Sequence, residues 1–249
     1  MIKVSACIIT FNEEQTIREC LDTVRWCDEI IVVDSGSTDQ TVSICESAGC
    51  KVMYHKFFSF SLQRQFASEQ ASNDWILFID ADERLSPGLI EEFKNLTPET
   101  VKRHVAYDLR FKTHIYGKLM RSCGLKYEKH VRFYDRRHVR FDDRIVHECL
   151  QINGSVGIFE NHVLHYTYPT ISSHLVKLNR YTEMWSTESF KKGKRTSLFR
   201  VVVQFPIKFF QTFILRGGFK DGFHGFLFSF MHGVSGTMKY AKLYQKQLK

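Results

Sequence analysis

Over its first hundred residues the chain alternates two kinds of apolar pattern. "KVSACIIT" is a run rich in β-branched residues, and "NEEQTIRECLDTVRWC" then places Ile17, Leu21 and Val24 at helical spacing before a second continuous run, "EIIVVDSGS". "STDQTVSICESAGC" follows, with Ser37 and Gln40 in the S-x-x-Q form of a capping box and Gly49 as a helix stop, and "KVMYH" reads as a short strand. A helix through "SLQRQFASEQAS" leads into "DWILFIDADE", after which Pro87 is well placed for the first turn of another helix. Consecutive β-α-β units whose strands are continuously apolar predict an α/β fold with a parallel sheet covered on both faces.

Between Val101 and Leu164 the pattern changes. "VAYDLRFKTHIYG", "HVRFYDRRHVRF" and "GIFENHVLHY" alternate apolar and polar positions, which predicts a mixed or antiparallel extension of the sheet. From Thr170 the spacing becomes helical. The expected division is therefore a catalytic or binding domain over residues 1–166 and a helical region over 167–249.

In parallel sheets ligands bind beyond the carboxyl ends of the strands. Thr10 to Glu13, Asp34 to Ser37 and Asp80 to Glu83 all fall just past such ends and are expected to converge on one crevice. The third of these sets is the most pointed, because four apolar residues (Ile76 to Ile79) run into Asp80, Asp82 and Glu83. Two carboxylates one residue apart can share a hard divalent cation, and that cation can bridge the oxygens of a diphosphate. Alone, D-x-D is more readily a polar turn. Its company argues against that, since "TFNEE", "VVDSGSTD" and "FIDADE" occur in order at the ends of the same inferred sheet.

These segments, "CIITFNEEQTIRECLDTV", "DEIIVVDSGSTDQTVSI" and "QRQFASEQASNDWILFIDADE", resemble the family-2 inverting glycosyltransferases, whose GT-A fold binds a nucleotide sugar. The resemblance covers roughly residues 1–166. It implies that Thr10, Phe11, Asn12 and Glu13 line the nucleotide base and ribose, and that Asp34 hydrogen-bonds the uracil ring. Arg64 would approach the base or diphosphate, Asp80 the ribose and Asp82 a divalent metal, Mg²⁺ or Mn²⁺. Members often carry Pro and Tyr where this chain has Ile9 and Phe11; a Phe ring still stacks on a base, and only a hydroxyl contact is lost.

Inversion is a single displacement in which a base deprotonates the acceptor hydroxyl. "FDDRIVHECL" offers Asp142, Asp143 and Glu148. Glu148 is favoured because its apolar surroundings would raise a carboxyl's pKa and because members resemble "HE" here; the plain alternative is a structural pair with Arg144. The resemblance also suggests His165 as a further metal or diphosphate contact, against a hydrogen-bonded structural role. Arg132, Arg136, Arg137, Arg140 and Arg144 could face an anionic acceptor or simply form a solvated strand face.

Charge divides the chain sharply. The overall +8 hides a tail from Lys191 onward with twelve Lys or Arg and one acid, Asp221, so the first 190 residues are net acidic. Ten of the twenty-two Phe lie between Phe199 and Phe230, and aromatics interleaved with bases suit a membrane surface as well as a helical subdomain packed on itself. The longest uncharged run, Gly222 to Met238, is shorter than the roughly 20 residues of a membrane span. No motif for reading nucleic acid accompanies the charge. There is no G-x-x-x-x-G-K-[ST] loop for phosphoryl transfer. Seven cysteines without a C-x-x-C pair read as reduced thiols, and the N-terminus lacks a signal-sequence pattern, so a cytoplasmic location is expected.

The tail "FPIKFFQTFILRGGFKDGFHGFLFSFMHGVSGTMKYAKLY" is similar to that of bacterial lipopolysaccharide-core glycosyltransferases of the β-1,4-glucosyltransferase type. That resemblance implies a UDP-glucose donor, a glycolipid acceptor (an inner-core heptose) and attachment to the inner face of the cytoplasmic membrane. The rivals are transfer of another sugar to a different envelope glycan, and a non-catalytic nucleotide-sugar or membrane-binding module. The intact Asp80/Asp82 pair and Glu148 speak against the second.

Overall fold

The structure, a computed structural model, describes residues 2–141 and 150–248. Asp142, Asp143, Arg144, His147 and Glu148 therefore lie outside the described residues. The strands are β1 (Val4–Thr10), β2 (Glu29–Asp34), β3 (Lys51–Tyr54), β4 (Trp75–Asp80), β5 (Glu83–Leu85), β6 (Ala106–Ile115), β7 (Lys118–Leu119), β8 (Lys129–Asp135), β9 (Val139–Phe141), β10 (Leu150–Ile152) and β11 (Val156–Tyr168). The helices are α1 (Ile17–Val24), α2 (Thr41–Ser47), α3 (Phe60–Glu69), α4 (Pro87–Lys94), α5 (Pro98–Val101), α6 (Ile171–Lys191), α7 (Leu198–Phe210) and α8 (Gly222–Gln247). Among the described residues the main sheet runs β3-β2-β1-β4-β8-β6-β11-β5 with β7 beside β6, and β9 and β10 form a separate antiparallel pair. The first four strands of that order are parallel, and β8 enters antiparallel to β4.

Two compact units divide the chain: residues 1–111 with 129–165, and residues 112–128 with 166–249. The helical unit takes in the chain from Tyr166 onward together with the segment 112–128. A strand pattern carries no mark of which unit its end will join, and β6 and β11 each supply residues to both.

In the first unit the continuous apolar strands work as anticipated. Alternate residues of β4 enter opposite layers: Trp75, Leu77 and Ile79 pack with Ile8, Leu21, Leu89 and Phe93, while Ile76 and Phe78 pack with Cys7, Ile31, Ala67 and Tyr134. Both faces are thus dry, which is why no polar residue interrupts the strand. Burying each such side chain contributes about 1.5–3 kcal/mol. α4 begins as read, with Ser86 capping the Leu89 N–H and Pro87 in the first turn. α2 does not. Its N-cap is Gln40 and has no side-chain cap bond; Asp39 accepts from the Thr41 N–H and hydroxyl instead, and Ser37 is used elsewhere.

The second unit is helical. Thr170 and Ser173 form a reciprocal capping box at the start of α6. α7 holds Pro206 and runs into a π-helical turn, Gln211–Leu215, and a short 3-10 turn, Gly218–Asp221, leads into α8. The Asp221 carboxylate accepts from the Arg121 N–H at 3.1 Å and the Ser122 hydroxyl at 2.5 Å. Its carbonyl accepts from Lys118 Nζ. A stretch of 18 residues, Leu198–Leu215, is long and apolar enough to cross a membrane by length and composition alone. Arg200 and Lys208 interrupt it, so it is not an uncharged run.

Six cysteines are free thiols among the described residues, as their packing suggested. Burial pushes the Cys45 thiol up to about 12 and Cys50 up to about 11, which makes them inert small hydrophobes.

Candidate active site

Register brings the strand-end clusters level. Thr10 pairs with Asp34 across β1 and β2, and Ile9 pairs with Asp80 across β1 and β4. Beyond β1 the chain turns through Asn12, whose left-handed φ of 55° is one that Asn tolerates better than most residues. Two bonds tie that turn to the next loop: the Asn12 N–H donates to Ser37 Oγ and Asn12 Oδ1 accepts from the Thr38 N–H, each at 2.8 Å. Glu13 is fixed by its N–H donating to Thr41 Oγ1 at 2.8 Å, and its carboxylate accepts from the Thr16 hydroxyl. The buried Asp34 carboxylate accepts from the N–H groups of Gly36 and Ser37 at 2.7 and 2.8 Å and from Ser37 Oγ at 2.5 Å. It holds its own loop in shape. The buried Thr10 Oγ1 has no hydrogen-bond partner and stands at this rim.

The end of β4 is an ionic cluster. Arg64 Nη2 donates to both Asp80 oxygens, at 3.2 and 3.1 Å, and Arg132 Nη2 donates to Asp80 Oδ2 and Glu83 Oε1, both at 2.8 Å. Glu83 returns a bond by accepting the Asp80 N–H at 2.9 Å. Both guanidiniums lie over the Phe78 ring, 4.6 and 5.5 Å from its centroid, which takes the place of water above them. Burial works against ionisation of Asp80, but the Arg132 and Arg64 charges outweigh it and hold the carboxyl well below its ordinary range. Burial pushes Glu83 up to about 7; Arg132 opposes the rise and the Asp80 charge adds to it.

Antiparallel pairing of β5 with β11 sets His165 opposite Glu83. This brings His165 Nε2 to 3.6 Å from Asp82 Oδ1. Burial would lower the imidazole pKa, but hydrogen bonding and charge from Asp82 raise it on balance. No group of three or more His, Cys, Asp or Glu side chains that could hold a metal is gathered among the described residues. The Asp82/His165 pair nonetheless suits a divalent cation bound mainly through its substrate. Mg²⁺ in such sites takes one or two protein donors and leaves its other positions to phosphate oxygens and water.

Of the residues singled out in the sequence, Thr10, Asn12, Glu13 and Asp34 thus meet along one rim, Arg64 and Asp80 pair directly, and Asp82 meets His165. The basic stretch on β8 and beyond is not a solvated strand face throughout. Arg132 is 8% exposed and grips the Asp80 and Glu83 carboxylates, Arg136 donates to the carbonyls of Ser68 and Ala71, and Arg137 pairs with Asp135. Arg132, expected to face an anionic acceptor or solvent, instead turns inward to Asp80 and Glu83, and Glu83 had been given no role of its own. Their only signal was a charge inside an otherwise buried run on β8, and the third acid of "FIDADE". A cavity of about 420 Å³ opens beside Arg64 and Arg132, with Phe78, Lys129 and Tyr134 in its wall.

A mixed sheet with four parallel strands on one side, acids at its strand ends and a helical C-terminal tail is an α/β arrangement of the GT-A type. Residues 5–122 match the Glycosyl transferase family 2 domain. A glycosyltransferase of Rickettsia felis is 32% identical over 260 residues, covering 100% of this chain and 92% of the relative. The lipopolysaccharide core biosynthesis glycosyltransferase LpsC of Rhizobium meliloti is 30% identical, covering 98% of this chain and 93% of LpsC. Among solved structures, glucosyl-3-phosphoglycerate synthase from Mycobacterium tuberculosis, in complex with Mn²⁺, UDP and glucosyl-3-phosphoglycerate, is 27% identical. That likeness covers 33% of this chain and 34% of the synthase, with a TM-score of 0.31. The chain belongs to glycosyltransferase family 2.

Proposed function

We propose that the chain is an inverting, metal-dependent hexosyltransferase that moves glucose from UDP-glucose onto an inner-core heptose of a lipopolysaccharide acceptor at the cytoplasmic membrane face. The observation that carries the chemistry is the Asp82/His165 pair, 3.6 Å apart, with Asp82 two residues after Asp80 and His165 on β11. The acceptor class rests on likeness to LpsC along nearly the whole of both chains. Glucose as the donated sugar rests on the resemblance of the tail.

In this reading Thr10 to Glu13 and Asp34 form the nucleoside rim, and Asp80, oriented by Arg64 and Arg132, receives the ribose. Asp82 and His165 hold the cation. When bound, a divalent cation neutralises charge developing on the departing diphosphate. The protein's other task is to take a proton from the acceptor hydroxyl as it attacks the anomeric carbon from the opposite face. Glu148 is the proposed base, with Asp142 and Asp143 as its rivals; all three lie outside the described residues. Glu148→Gln is expected to keep donor binding and lose transfer, and near-normal turnover would move the base to one of the two aspartates.

The deciding experiment is thermal unfolding of wild type and Asp82→Ala with UDP, GDP or CMP, with and without Mn²⁺. A ligand that binds the folded state raises the midpoint by mass action. A rise with UDP plus Mn²⁺ that Asp82→Ala loses is expected; no rise with any nucleotide would reject the donor site.

A further inference from the structure

Within the helical unit, the contact between α7 and α8 is made largely through small and polar residues. α7 buries one residue of its own, and that residue is Gln204; the π-helical turn after it buries Thr212, bonded to His232 Nδ1 at 2.5 Å. On α8 the buried positions include Gly225, Ser229, Gly233 and Gly236, a small-residue seam at steps of four, four and three. The seam is tight. A Cβ on Gly225 would lie 1.8 Å from the Gly218 carbonyl oxygen, and one on Gly233 or Gly236 would come within 2.9 Å of Phe205 or Lys208.

Large apolar side chains sit on the outside of the same hairpin. Phe199, Val202, Pro206 and Phe210 follow three- and four-residue steps along α7, and Ile214 extends the line through the π-helical turn. Phe219, Phe223, Phe226 and Phe230 extend it onto the start of α8. A helix in water turns such a face inward, and a contiguous exposed apolar surface of this kind marks an interaction site. Packing through small residues and interhelical polar bonds, with large apolar side chains outward, is how helices associate when the surrounding solvent is hydrocarbon. Exposed bases bracket the stripe: Lys191, Lys194 and Arg195 before α7, and Arg216 and Lys220 at the hairpin tip. Among residues 191–249 the single acid, Asp221, is buried against Arg121 and Ser122, so that stretch exposes no acidic side chain to repel anionic headgroups.

We propose that the α7/α8 hairpin lies in one leaflet of an anionic phospholipid bilayer, its Phe-lined face sunk to the acyl chains and its flanking bases among the headgroups. Arg200 and Lys208 within α7 fit a helix lying in the interface rather than one crossing it. The inference rests on the glycolipid reading only for what an enzyme held there would meet; the anchoring itself rests on the packing.

The test is flotation of the full chain, purified in mild detergent, with vesicles of phosphatidylethanolamine containing or lacking phosphatidylglycerol, at 0.1 M and 1 M NaCl. The parent is expected to float with anionic vesicles and remain attached at 1 M NaCl. A Phe199→Ser, Phe210→Ser, Ile214→Ser variant is expected to lose at least tenfold in bound fraction with unchanged helical circular dichroism. Should that variant misfold, Phe210→Trp decides instead: brominated acyl chains are expected to quench its added fluorescence over the parent. Three results would overturn the proposal: no flotation, flotation abolished by salt and indifferent to the Ser substitutions, or a parent oligomer that the Ser variant converts to monomer, which would put a second copy on this face. Flotation without a UDP-dependent thermal shift would reject the donor reading and leave the hairpin standing. A UDP shift without flotation would do the reverse.

Discussion

The two units obey opposite rules for what is hidden. The sheet unit buries Ile, Val, Leu and Phe on both faces of its strands and keeps its acids at the strand ends, where each carboxylate is answered by a guanidinium, an imidazole or loop N–H groups. The α7/α8 hairpin buries mostly Gln, Thr, Ser and Gly, with Met231 and Leu243, and exposes six of its Phe. Composition alone would make the tail the better core-former. The difference teaches that apolar content does not say which solvent a segment is built for; the position of small and polar residues relative to the packing seam does.

This contrast can be broken from either side. The largest effect expected is Arg132→Ala, which leaves Glu83 buried without its guanidinium partner and costs about 3–5 kcal/mol in urea unfolding. A smaller loss would mean that Arg64 takes over the contact. Leu77→Ala, deep in the sheet unit, should cost about 2–5 kcal/mol. Acid titration probes the helical unit: burial holds His174, whose Nδ1 meets the Tyr116 hydroxyl at 2.6 Å, down to about 4. Because the folded pKa is below the ordinary 6.5, the unfolded chain binds the proton first. Stability is then intact above pH 6.5 and falls as pH drops from there towards 4, by about 2 kcal/mol for this residue. Urea midpoints at pH 7.5 and 4.5 should differ less in His174→Gln than in the parent. Gly233→Ala, which brings a Cβ within 2.9 Å of Phe205 on α7, should cost about 1–3 kcal/mol and report on the seam. The smallest effect sharpens the comparison most. Phe210→Ser should change stability in detergent-free solution by no more than about 0.5 kcal/mol, although a Phe is removed. A loss like that of Leu77→Ala would mean that the face is a core after all.

Periodicity was sufficient for the order and type of β1 to β4 and their helices, because a strand dry on both faces must be continuously apolar and a helix on such a sheet must carry a stripe. It was sufficient too for the meeting of Asn12 with Ser37 and Thr38, which follows from parallel strands ending at the same level. It misjudged Ser37 and Gln40 as a capping box, since Asp34 was a nearer acceptor for that hydroxyl. Arg132 could not be found in this way. Its partner acids lie 52 and 49 residues earlier, and nothing local distinguishes a base that folds inward from one that faces water.

By itself, then, the sequence determined the sheet, the placing of acids at its strand ends and the basic, Phe-rich character of the tail, because each of these depends on residues a few positions apart. Only the tertiary structure decided which acid meets which base, that β5 and β11 pair so as to set His165 beside Asp82, and that the tail turns its Phe outward. Those are long-range choices, made by register between strands distant in the chain and by how closely α7 and α8 can approach through Gly233 and Gly236.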